Sequence, residues 1–229
     1  MPDFDEARHE TIRYHDELYT STSLGEEGTW LERPHPIVYQ AIALLPDDRP
    51  VVAYDLGAGI GRHVVPLLDR LPDGSDVYAI DLLDSAVEQL RTLTPTSGSS
   101  RLHVQQRDLA DVEFADAVDL VLAFSAVEHL ADLDAIRGLL DKIRAALTPS
   151  GLVALGIVAD RFEIDAEGGR RPALLESDLS TEDVDALLAG AFPDLETVSR
   201  NIRPARVEEE RDGETYTLAS NLITWIGRR

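Results

Sequence analysis

Three glycines at alternate positions, in Asp55-Leu56-Gly57-Ala58-Gly59-Ile60-Gly61-Arg62, constrain this chain more than any other feature. They follow Val51-Val52-Ala53-Tyr54-Asp55-Leu56, which reads as a buried strand, and they precede a helix-like stretch at 62–71. A turn between a first strand and a first helix lies where open α/β sheets place their ligand crevice. Glycine is needed there because the backbone must turn tightly and approach a ligand closely. A dinucleotide fingerprint needs its third glycine at position 62, which is Arg62 here, and a nucleoside-triphosphate loop needs a lysine that the segment lacks. The loop argues against both ligands.

Short apolar runs alternate with helical patterns on either side of it. Asp76–Asp81, 102–106, Val118–Phe124 and 152–158 read as strands, with helices at 84–93 and 133–147. That rhythm implies βαβ units and a parallel sheet covered on both faces. Helices at 4–19 and 36–45 come first, joined by a polar stretch, 20–33, that carries Trp30. In the tail, Ser180 fits the N-cap of a helix and Asp183 sits near the positive end of its dipole. Two extended segments, 195–207 and 214–226, then flank Asp212-Gly213, a hairpin signal. Residues 159–179 have no clear period and read as a long functional loop. The expected fold is α/β, five parallel strands closed by an antiparallel pair, in one domain. Its parts are a helical cover (1–49), a ligand-binding core (50–160), and a lid loop with the last helix and hairpin (161–229).

With 43 Asp and Glu against 21 Lys and Arg, the formal charge is −22. Such a surface repels phosphate backbones and anionic lipid, so neither nucleic acid nor a membrane is an expected partner. Lys142 is the only lysine, a scarcity that fits codon bias in a GC-rich genome and fits adaptation to high salt equally well. No cysteine is present, which excludes disulfides, thiolate metal sites and a cysteine nucleophile. His, Asp and Glu are scattered without metal-ligand spacing, so no metal is expected. The start, Met1-Pro2-Asp3-Phe4-Asp5-Glu6, is acidic and unlike a signal peptide, and no apolar run reaches bilayer length. A cytoplasmic protein, monomer or homodimer, is expected.

Asp81 ends the second strand, where an acid can accept two hydrogen bonds from ribose hydroxyls. Its neighbour Asp84 fits the cap of the next helix better. Asp108, just past the third strand, is placed either to meet the exocyclic amine of an adenine or to face solvent as a loop acid. Glycine loop, Asp81 and Asp108 together describe a site for a nucleoside without phosphate.

These segments resemble the class I S-adenosylmethionine (SAM)-dependent methyltransferases. Asp55 to Gly61 is similar to their first motif, Asp81 to their ribose acid, and Asp108-Leu109 to their adenine-contacting pair. The stretch from Val118 to Leu130 is similar to the fourth-strand motif, and Leu147-Thr148-Pro149-Ser150-Gly151 to the turn before the fifth strand. The resemblance covers roughly positions 50–160 and implies a Rossmann-like fold of seven strands ending in an antiparallel hairpin. It implies SAM as cofactor, held by Asp55, Gly57, Ala58, Gly59, Gly61 and Arg62, by Asp81 and Leu82, by Asp108 and Leu109, and by Phe124 and Ser125. Gly59-Ile60-Gly61-Arg62 and the tail after Leu179 also resemble the tellurite-resistance-type enzymes, which act on small soft nucleophiles. The segment from Gly28 to Pro36 has no counterpart there.

Methyl transfer is an in-line displacement that needs alignment and exclusion of water more than a covalent intermediate. If a general base is used, His129 just after the fourth strand is the first candidate, because histidine titrates near working pH. A histidine bonded to a helix end would read the same way. His15 and His35 come second, while His63, His103 and His9 read as structural or solvated. Tyr14, Tyr19 and Trp30 are candidates for an aromatic cover over a small-molecule acceptor, or for ordinary packing. Arg161, with Arg170 and Arg171, could bind an anionic acceptor, or neutralise nearby carboxylates. The N-terminal segment and the 159–179 loop are expected to close over the acceptor. The alternative to an enzyme is a SAM-binding protein without turnover; a nicotinamide oxidoreductase is disfavoured by the loop spacing.

Overall fold

The computed structural model describes residues 4–211 and 213–229. Strands β1 (Val52–Leu56), β2 (Asp76–Asp81), β3 (Arg101–Gln106), β4 (Val118–Phe124) and β5 (Leu147–Ile164) pair in parallel; β7 (Glu196–Arg211) and β8 (Glu214–Arg228) run antiparallel. Their order across the sheet is β3-β2-β1-β4-β5-β8-β7, and β6 (Arg170–Pro172) pairs only with β5. This is the expected topology, with order reversing between β1 and β4. The carboxyl ends of those strands splay there and leave room for a ligand.

Two apolar layers cover the sheet. On one face α5 (Leu133–Ala146) and α6 (Thr181–Ala191) bury Ile136, Leu140, Ile143, Val184 and Leu187 against Val121, Val153 and Trp225. On the other, α2 (Pro36–Ile42), α3 (Val64–Arg70) and α4 (Asp84–Leu90) pack Val38, Leu67 and Leu90 on Ala53, Val77 and Leu120. Ser180 caps α6 as expected and forms a reciprocal box with Asp183. α1 (Phe4–Ser21) buries only Ala7 and Tyr19, so it lies on the molecule as a cover rather than inside it.

Three expectations are corrected. The cap of α4 is Leu83; Asp84 is the first helical residue, and its carboxylate accepts from Gln106 instead. Residues 159–179 are not a long loop. β5 runs on to Ile164, pairs with β8 beyond Ala159, and turns at Gly168 into β6. A bulge hid this from the sequence: Asp160 has φ +52°, and the register shifts between Ala159 and Phe162, breaking the period-two pattern. Only 173–180 remains irregular. The closing hairpin is also longer than expected, and Arg211 pairs with Glu214 at its tip. Of the hairpin signal, Gly213 has φ +78°, while Asp212 lies outside the described residues. So does the stretch Met1-Pro2-Asp3 of the N-terminal reading.

Candidate active site

The glycine loop leaves β1 and is tied to β2 at once: the Gly57 and Ala58 amides both donate to the Ile80 carbonyl, at 2.9 and 3.0 Å. Gly57, Gly59 and Gly61 have φ of +69°, +52° and +101°, a region that costs glycine little and other residues much. Their surroundings differ. A Cβ on Gly57 would lie 2.7 Å from that of Ala126, and one on Gly59 would lie 2.7 Å from the Tyr19 hydroxyl. A Cβ on Gly61 would strike Leu93, so this third glycine lets α4 pack close. Gly61 lines neither of the cavities described below.

Asp81, at the end of β2, accepts from the Gly59 amide at 2.7 Å through one carboxylate oxygen and from Leu83 at 3.0 Å through the other. Burial pushes its carboxyl up, and those amides oppose the shift. Asp55 lies beneath the loop with both oxygens buried and unpartnered among the described residues. Burial raises it to about 7, with Asp81 adding to the rise and Arg62 opposing it. A site that leaves a buried acid without donors is built for a polar ligand or a proton.

Two cavities open from this loop. The smaller, about 110 Å³, lies over Asp81, Leu82, Asp108 and Leu109. Asp108 caps the short 3-10 turn behind it by accepting from the Ala110 amide at 3.0 Å. Its second oxygen pairs with Arg8 of α1, which also donates to the His129 carbonyl. Neither Arg8 nor its reach carries a signal in the sequence. The larger cavity, about 420 Å³, runs from Ala58, Gly59 and Arg62 past Tyr14, Trp30, Phe124 and Arg161 to the β7–β8 hairpin. Tyr19, Gly57, Ser125 and His129 line both, as does His15.

The walls of the larger cavity are held by packing. Arg62 lies over the Trp30 ring, 4.9 Å from its centroid, and over Phe124 at 5.4 Å. Phe124 sits flat across Gly156, where any Cβ would strike its ring, so Gly156 makes room for the aromatic wall. Ser125 follows with φ +52°, a strained turn for a non-glycine residue, locked by its amide donating to the Gly156 carbonyl at 2.7 Å. His35 and His63 pack against Phe124, 4.7 and 5.1 Å between ring centroids. Burial holds His35 at about 4 and His63 well below its ordinary value, so both are neutral wall residues. His103 pairs with Asp76 on the far sheet edge.

At the distal end, Tyr216 donates to Glu209 at 2.8 Å, and burial pushes both groups up. Arg171 and Arg211 pair with the buried Glu163 at 2.7 Å, and Arg170 stacks on Phe162, so all three of these arginines are committed to protein partners by charge or stacking. Arg161 donates to the Ser177 carbonyl at 2.8 Å, and its Nε is buried without a partner among the described residues. Glu209, Tyr216 and Glu163 were not legible as site residues, because the strands carrying them were read only as a hairpin and a loop.

The match with known proteins falls on the same core. Residues 53–151 match a family model described as a methyltransferase domain. Those residues form a methyltransferase domain. The fold of the chain is similar to solved structures of low identity. A SAM-dependent methyltransferase from Methanosarcina mazei is 14% identical, with a TM-score of 0.60 over 86% of this chain and 98% of that one. The N-methyltransferase NodS from Bradyrhizobium japonicum, solved with S-adenosylhomocysteine (SAH), is 16% identical, with a TM-score of 0.56 over 97% and 98%. TehB from Haemophilus influenzae is 15% identical, with a TM-score of 0.59 over 93% and 67%. No curated protein matches the sequence. The residues around the loop fit SAM: a glycine cradle that a Cβ would fill, and the orphaned Asp55 beneath it. Among the described residues no cluster of acids and histidines could hold a metal, and no helix is long and apolar enough to cross a membrane.

Proposed function

We propose that the chain is a SAM-dependent methyltransferase acting on a small molecule held in the larger cavity. One observation carries the reading: the two cavities meet at His15, Tyr19, Gly57, Ser125 and His129, and α1 covers both. Bound SAM supplies a methyl group on a sulfonium, and its loss to an acceptor leaves the sulfur neutral. The loop amides and Asp55 hold the amino-acid end, Asp81 receives the ribose hydroxyls, and Asp108 with Leu109 borders the adenine. Phe124 and Ser125 border the reacting centre. Tyr14, Trp30, Val207, Leu218 and Leu222 give the acceptor pocket apolar walls, while Arg161, Glu209 and Tyr216 form a polar far end.

This arrangement favours an acceptor with a flat apolar body and one polar terminus. A net charge of −22 argues against a nucleic-acid acceptor. The chain's own contribution is positional: close walls, excluded water and a fixed line between the cavities. SAH calorimetry followed by a screen of small acceptors with labelled SAM tests the reading. Transfer of label to a small molecule supports it. SAH binding with no transfer to any acceptor favours the non-catalytic alternative.

A further inference from the structure

We propose that Glu176 and His129 form a general-base pair, and that the acceptor is therefore a protic group, a hydroxyl or ring N–H. The inference rests on the small-molecule reading above and adds the chemical class of the acceptor and a positioning residue. His129 Nδ1 lies 3.2 Å from a Glu176 carboxylate oxygen. A carboxylate only accepts, so Nδ1 carries the hydrogen and Nε2 presents its lone pair. Nε2 has no hydrogen-bond partner among the described residues, and His129 lines both cavities where they meet.

Glu176 is not a stray surface acid. Its side chain is 2% exposed, in the segment between β6 and α6. Burial pushes its carboxyl up, but hydrogen bonds from His129 and the Thr11 hydroxyl outweigh burial and hold it below the usual glutamate range. Its neighbour Ser177 fixes the segment on two sides: its hydroxyl donates to the Leu130 carbonyl at 2.6 Å, and its own carbonyl accepts from Arg161. Arg161 thus acts on the site by holding Glu176 in place.

The groups facing His129 do not compete for its role. His15, on α1, donates through Nδ1 to the Thr11 carbonyl at 2.9 Å, and burial keeps it at about 4. Arg8 is engaged by Asp108 and the His129 carbonyl, Asp81 by backbone amides, and one oxygen of Glu128 by the Val158 amide and Ser125, its other oxygen being buried without a partner among the described residues. A thiolate or a tertiary-amine acceptor has no proton to give up and would leave a buried carboxylate–imidazole pair without use. A hydroxyl or N–H needs one. As the acceptor lone pair forms its bond to the methyl carbon, the carbon–sulfur bond breaks with its electrons going to sulfur. The acceptor proton passes to His129 Nε2, and the imidazolium so formed is balanced by Glu176.

The test uses the whole chain with Glu176→Gln, Glu176→Asp and His129→Gln, each first checked for SAH affinity by calorimetry. Nitrogen-15 NMR of imidazole-labelled protein should show His129 as the Nδ1–H tautomer. In Glu176→Gln that tautomer preference should be lost, with partial recovery in Glu176→Asp. With SAH affinity held within about threefold, transfer to phenols, alcohols and N–H heterocycles should drop roughly 10²–10⁴-fold in His129→Gln, the range expected of a general base. The rising limb of the wild-type pH–rate profile should be lost in His129→Gln. An unchanged His129 tautomer in Glu176→Gln, or transfer confined to thiols and untouched by His129→Gln, overturns the pair. Failure of the wild type to methylate any small molecule overturns the acceptor reading instead, and the tautomer measurement then decides the pair alone.

Discussion

The Gly59 amide donates to Asp81 at 2.7 Å, so the middle glycine of the loop and the acid of the second strand are one unit. A side chain at position 59 would both force a left-handed backbone and collide with the Tyr19 hydroxyl. Asp81→Ala should weaken SAH binding by roughly 1.5–3 kcal/mol, as for lost charged hydrogen bonds to a buried partner. Gly59→Val should lose more, because strain and the Tyr19 clash add to the lost space. Calorimetry showing wild-type affinity in both variants would place the cofactor elsewhere.

Arg8 connects α1 to the two positions nearest the smaller cavity, the Asp108 carboxylate and the His129 carbonyl. Both charged side chains are about a quarter to a third exposed, so the pair contributes at most about 1 kcal/mol to stability after screening. Its effect should be local. Arg8→Ala should speed amide exchange along α1 and raise the SAH dissociation rate several-fold, with little change in Tm. Exchange rates that stay at wild-type values would show that α1 is held by Tyr19 and Gln89 instead.

Asp55 makes the stability of the unliganded protein depend on pH in an unusual direction. Its folded-state pKa, raised to about 7 from 3.8 chiefly by burial, lies above the unfolded value. Between those values the folded chain binds the proton and the unfolded chain does not, so stability falls as pH rises. Each unit costs about 1.4 kcal/mol, up to roughly 4 kcal/mol across the window, and the loss levels off above pH 7. Asp55→Asn should abolish this contribution. Its Tm should match wild type near pH 4 and exceed it increasingly toward pH 7; parallel curves for the two proteins would show that Asp55 is not buried as an unpaired acid.

The loop turn, the strand-end positions of Asp81 and Asp108, and the parallel strands with their closing antiparallel pair were legible because their signals are local: glycine spacing, strand-end acids and apolar runs. What the sequence hid depends on distance or on broken periodicity. Glu176 meets His129 across 47 positions and Arg8 meets Asp108 across 100. Neither pair has a spacing that repeats or a residue type that stands out. The bulge at Asp160 shifts the side-chain alternation of β5, so Arg161 and Glu163 read as loop although they line the larger cavity. Gly61 illustrates the opposite error, since its glycine signal is clear but its cause is packing against Leu90 and Leu93.

The charge excess gives a last test, one that separates composition from salt adaptation. Many arginines are already paired: Arg13 with Glu10 and Glu17, Arg101 with Asp76, Arg200 with Asp185, Arg144 with Asp194. These exposed pairs contribute little each, and salt weakens them. The carboxylates left over repel one another across the surface, and at 0.1 M salt the screening length of about 10 Å spans several of them. At 1 M it falls to about 3 Å, and the repulsion is largely removed. With 22 uncompensated negative charges, relief of repulsion should exceed the loss of surface pairs, so Tm should climb by several degrees between 0.1 and 1 M KCl. The core does not depend on salt in this way, so exchange of the buried β1 and β4 amides should slow together with the rise in Tm. A flat or falling Tm across that range would mean that the acidity reflects composition alone and that the paired arginines set the surface energetics.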